Sequence, residues 1–195
     1  MERLNPKLAQ ESLLKLKDTL KVIEKKLPHN SLQKLKTLKI FLMWGEKSPY
    51  GGKKSGMRFV RRGETNKRPH YDNRWEHSVV IYSAENLMYL TDMWSRKALT
   101  HEFAHAWHIM HWPDKYAEIL KPWKQAKSKK LYTNVKDYKN RVKPEAYAVK
   151  NNLEYFAELS AMYFVGGDYF PYERIKLITY DPAGVAMIKK LWSVR

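Results

Sequence analysis

Apolar residues recur along this chain with two periods, and the alternation between them outlines a fold that is α+β and mainly helical. Leu8, Leu13, Leu16, Leu20, Ile23 and Leu27 stand three to five residues apart with lysines between them. This predicts an amphipathic helix over residues 7–27, stopped by Pro28. Ser31 is placed to cap a second short helix running through Leu38, and the run from Leu38 to Trp44 reads as the first strand. From Gly45 to Asn73 the periodicity dissolves among prolines, glycines and cations, which is the composition of a solvated, irregular stretch with one short strand at Met57–Val60. Ser78–Tyr82 is a β-rich run, expected at the sheet edge, where a peptide could add as a further strand.

The second half is helical. Leu99, Phe103, Ala106, Trp107 and Met110 form one apolar stripe on a helix that starts at Asp92 or Ser95 and reaches His111, with Pro113 behind it as a stop. His101, His105 and His108 fall on the opposite face. Residues 114–124 read as helical, and 124–143 form the most basic tract. A further helix spans Tyr147–Phe164 and closes at Gly166-Gly167. Asp168–Tyr172 is aromatic and broken by Pro171, so it is expected to pack under that helix; Asp181-Pro182 opens a turn or a final helix through Trp192.

Composition narrows the choices without selecting a function. The 195 residues are 44% hydrophobic, enough for a single domain with one sizeable core. There is no cysteine, so a metal site must draw on His, Asp and Glu. No segment has the length and apolarity of a transmembrane helix, and the first ten residues lack the apolar core of a secretory signal. A formal charge of +17 attracts acidic proteins, anionic membranes or nucleic acid. No zinc finger, helix-turn-helix or RNP-like motif accompanies it, so nucleic acid is disfavoured and the cations of 124–143, with Tyr132 and Tyr138 among them, read as a solvated surface.

Chemistry enters with His101-Glu102-Phe103-Ala104-His105. On a helix the two imidazoles point the same way, about one turn apart, and can share a zinc ion at about 2.0–2.1 Å. Glu102 then lies beside the ion as a general base. A third ligand is required, and two positions offer one. His111 stands where the pattern H-E-x-x-H-x-x-G-x-x-H would put it, but that pattern needs glycine at the position of His108 so that the chain can turn back. The helix over 147–164 instead projects Glu154 and Glu158, with Asn151, from a surface otherwise suited to burial. Carboxylates so placed bind metal or pair with a cation such as one of the many lysines.

The motif HEFAHA, followed by Tyr147, Asn151, Glu154 and the run Tyr155-Phe156-Ala157-Glu158, resembles the catalytic domain of anthrax lethal factor and the related Pro-Pro endopeptidases, a branch of the gluzincin zinc peptidases. The stretches NNLEYFAELSAMYF, DYFPY and YDP are similar to secreted lethal-factor-like proteins of bacteria and fungi, among them the conidiation-specific proteins; the likeness covers residues 79–192. It implies a zincin-type domain with a small mixed sheet and two active-site helices: a basic helical region over 1–36 and a catalytic core over 37–195. It further implies Zn2+ held by His101, His105 and Glu154, catalysis by Glu102 and Tyr147, and Glu158 with Asn151 behind the ligands. The expected activity is zinc-dependent hydrolysis of peptide bonds in a peptide or protein substrate, acidic in view of the charge, by a monomer. The relatives imply a secreted or extracytoplasmic mature form, while the composition alone is equally compatible with the cytoplasm. Two rival readings are an inactive zinc- or peptide-binding module of the same fold, and a basic nucleic-acid or membrane-surface binder in which HExxH is incidental.

Overall fold

The computed structural model describes residues 1, 3–50 and 52–194. Helix α1, Pro6–Glu24, starts where Asn5 accepts the Leu8 N–H at 3.1 Å and Pro6 supplies a preset φ. It buries Leu16 and Ile23 but leaves Leu13 at the surface, so the inward stripe is narrower than the leucine pattern suggests. Helix α2, His29–Leu35, begins at Pro28 rather than at Ser31, whose hydroxyl lies inside the helix facing the Trp192 carbonyl.

Strands β1 (Lys39–Leu42), β2 (Met57–Val60) and β3 (Ser78–Ile81) make a mixed sheet in the order β1-β3-β2. β1 runs parallel to β3, with Lys39 opposite Ser78, and β2 antiparallel to it, with Met57 opposite Ile81. β3 is therefore the central strand, not the edge expected for it. It pairs with β1 on one edge and β2 on the other, and both of its faces are covered as well, which the unbroken run Ser-Val-Val-Ile permits. Phe59, Val79 and Ile81 face the helices, while Val60, Val80 and Tyr82 pack against Tyr71 and Trp75 from the irregular stretch. That stretch is thus not merely a solvated loop: two aromatic side chains pin part of it across the outer face of the sheet.

Helix α3 (Ala84–Tyr89), capped by Ser83, leads into helix α4 (Asp92–His111), which ends before Pro113. α4 is buried on nearly every side because it lies between the sheet and helix α6 (Asn152–Phe164). Helix α5, Ala117–Ser128, precedes a hairpin of β4 (Thr133–Lys136) and β5 (Val142–Glu145). The basic tract therefore folds into a helix end and a ribbon. Tyr132 within it is wholly buried, which excludes it as a stacking platform; Tyr138 remains exposed. The aromatic segment after α6 runs along this hairpin, Phe170 N–H donating to the Lys136 carbonyl at 2.8 Å, and sends Tyr169 inward.

Helices α7 (Arg174–Tyr180) and α8 (Pro182–Leu191) close the core. Trp192, just after α8, stacks on Trp107 of α4 and on Phe156 of α6, and its indole N–H donates to Ser160 Oγ at 2.9 Å. One residue thereby ties together the two helices that carry the candidate site. The junction before α8 rests on Asp181, buried, which accepts hydrogen bonds from the Tyr132 and Tyr155 hydroxyls at 2.9 and 2.6 Å and from the Gly184 N–H at 2.9 Å. Gly184 is needed there, since a Cβ would stand 2.4 Å from Leu159 and 2.6 Å from the Tyr155 hydroxyl. Asp181→Ala removes a helix cap and strands two buried hydroxyls, so a loss on the order of 3–5 kcal/mol is expected in denaturant unfolding. A loss below about 1 kcal/mol would show that those hydroxyls find other partners.

Candidate metal centre

The site is assembled from one face of α4, the first turn of α6 and the segment leading into α6. Tyr147 lies not in the helix expected from residue 147 but in a short 3-10 turn, Tyr147–Val149, that follows β5. Asn151 ends that segment as the N-cap of α6, its side chain accepting the Glu154 N–H at 2.9 Å. Its role is to start the helix and so to fix the backbone of Glu154, which stands in the first turn.

The Nε2 atoms of His101 and His105 are 3.0 Å apart, and Oε2 of Glu154 lies 3.1 Å from each. Four ligands at about 2.05 Å in tetrahedral array stand about 3.3 Å from one another, so this triangle has the size of one face of a zinc tetrahedron. Among the described residues, His101, His105 and Glu154 form a group that could hold a metal ion. The donors suit one: two imidazole nitrogens and a carboxylate oxygen converge at distances where their lone pairs repel unless a positive charge lies between them.

The charges of the three groups are coupled. Burial disfavours a charged His101, yet the Glu154 and Glu158 carboxylates outweigh it and push the imidazole up to about 10. Burial likewise disfavours a charged Glu154, and His101 and His105 nonetheless hold its carboxyl well below the usual carboxylate range. Behind the ring, Oε1 of Glu158 lies 2.8 Å from His101 Nδ1, an ionic approach whose N–H direction is off the line of a full hydrogen bond. A carboxylate on Nδ1 favours the tautomer that leaves the Nε2 lone pair facing the triangle. Glu158 is thus paired both with the histidine and with a lysine, and it stands outside the metal group.

The other histidines stand apart. His108 was expected on the polar face with His101 and His105, but it is wholly buried, its Nε2 3.1 Å from the Pro113 carbonyl and its ring edge-on to Phe156. α6 covers that side of α4, so the face open to solvent is narrower than a lone helix would present. His111 lies 2.8 Å from the Trp107 carbonyl through Nδ1, packs at a tilt against the Trp107 ring, and has Lys34 beside Nε2, which takes it out of the metal group.

Glu102 is half-buried next to the triangle, and its Oε2 accepts the Phe59 N–H of β2 at 2.7 Å. Tyr147 is exposed, its ring centroid 6.0 Å from that of His101 and its hydroxyl 3.1 Å from Lys150 Nζ. Sequence reasoning missed the Phe59 backbone donor, Lys150, and a lysine behind Glu158. The last had a legible signal: Lys97 precedes His101 by one helical turn and so shares its face. Comparisons of the chain with protein-family models, with curated proteins and with solved structures find no match.

Proposed function

We propose that this protein is a zinc-dependent endopeptidase of gluzincin type, with a zincin-type domain as its scaffold. The observation that carries the reading is the convergence of His101 Nε2, His105 Nε2 and Glu154 Oε2 within about 3 Å of one another, with Glu102 next to His101 in the same helix and the Tyr147 ring 6.0 Å from the His101 ring. His101, His105 and Glu154 would hold a zinc ion there, which would supply Lewis-acid chemistry by making water more acidic, towards a pKa of about 7, and by polarising a carbonyl.

The chain's own residues supply the rest. The Phe59 N–H anchors one oxygen of Glu102 and leaves the other to accept a proton from the attacking water and pass it to the leaving amine. Tyr147, on an exposed turn, donates its hydroxyl to the negative charge that develops on the carbonyl oxygen. β2, rather than β3, is the sheet edge next to Glu102, so an extended peptide can add to the sheet beside the reacting groups. The net charge of +17 favours an acidic protein as the substrate. Among the described residues no helix is long and apolar enough to cross a membrane.

The test is metal analysis combined with cleavage of a diverse peptide library. One zinc per chain and proteolysis abolished by a chelator and restored by zinc are expected. Tyr147→Phe should lower turnover on the order of 10²–10³-fold with little change in zinc content. A zinc-loaded wild type that cleaves no member of the library would favour a binding module instead.

A further inference from the structure

A second charged cluster lies behind the metal triangle. Lys97 of α4 is buried, its Nζ 2.6 Å from Oδ1 of Asp168 and 3.1 Å from Oε2 of Glu158. Lys143 of β5 reaches the other oxygen of Asp168 at 2.9 Å. The rings of Trp94 and Tyr169 wall the Lys97 ammonium at 5.1 and 5.7 Å. Glu158 and Asp168 are both buried. Charges therefore alternate from His101 through Glu158, Lys97 and Asp168 to Lys143, two carboxylates balanced by two ammonium groups.

Burying an ammonium is costly unless its partners are close, so this lysine is present against its own desolvation. The Glu158 and Asp168 carboxylates overcome that burial and hold the ammonium above its usual range. Glu158 has two oxygens and two neighbours. Lys97 takes one, which leaves the other facing His101 Nδ1.

We propose that Lys97 is a positioning residue for the metal centre, holding the Glu158 carboxylate against His101 so that the His101 ring keeps its Nε2 aimed at the shared point. This rests on the zinc reading above. Carboxylates behind metal-bound histidines contribute about 10–100-fold to metal affinity, and a residue that acts through one of them inherits part of that effect.

The test is a cycle on zinc affinity, measured by competition with a chromophoric chelator, and needs no substrate. Lys97→Met is expected to weaken zinc binding about tenfold, and Lys97→Met combined with Glu158→Gln to bind no more weakly than Glu158→Gln alone. Lys97→Gln, which keeps a donor to the carboxylates, carries the same comparison if the methionine variant does not fold. Unchanged zinc affinity in a variant whose thermal stability falls would reduce Lys97 to a brace between helices and overturn the proposal, as would additive losses in the double variant. A wild type that binds zinc but cleaves nothing defeats the peptidase reading and leaves this one standing; a wild type without zinc defeats both.

Discussion

Glu102→Gln is expected to leave the chain folded and zinc-loaded while lowering peptide turnover on the order of 10²–10⁴-fold. The side chains are nearly isosteric, and a glutamine oxygen can still accept the Phe59 N–H that Glu102 accepts at 2.7 Å. The link between β2 and α4 therefore survives, and the metal triangle, which does not include this residue, is untouched. What disappears is the proposed base, because an amide takes no proton from water near neutral pH. Zinc content, thermal melting and turnover measured on one preparation separate these effects. Turnover within about threefold of wild type would mean that Glu102 is not the base.

Glu154→Ala should weaken zinc binding by more than about 100-fold, since even carboxylates one shell further out contribute about 10–100-fold. Its oxygen completes the triangle at 3.1 Å from both histidine nitrogens, and two imidazoles alone leave the ion open to solvent on one side. His111→Ala is the matched control. His111 packs against Trp107 and lies outside the metal group, so its loss should leave zinc content unchanged. Metal retained in Glu154→Ala and lost in His111→Ala would reverse the assignment of the third ligand.

Where side-chain pattern dictates local structure, the sequence was easy to read. The stripe from Leu99 to Met110 identifies α4, and the β-rich run at 78–82 identifies β3, because helical and extended periods differ enough to show in a single chain. The pairing of β4 with β5 was hidden by the lysines of the basic tract. Their hairpin turns on Asp137, a buried carboxylate that accepts the N–H groups of Lys139 and Arg141, and nothing in the charge pattern distinguishes it from a solvated acid. The position of β3 inside the sheet was equally hidden, since Trp75 and Tyr71, which cover its outer face, lie in a stretch with no regular period.

Of the candidate site, the sequence alone determined the two histidines and the glutamate between them, because a four-residue spacing on one helix puts both rings on one face whatever surrounds it. It could not bring Glu154, which lies 49 residues after His105, to within 3.1 Å of that histidine. That required α6 to lie along α4, with Trp192 stacked on both and Asn151 starting α6 at the right residue. Nor could it show that Glu102 meets the backbone of β2, or that Lys97 and Asp168 stand behind Glu158. Spacing within a helix is a local property, whereas contact between elements is decided by which apolar surfaces bury one another, and only the folded chain makes that choice.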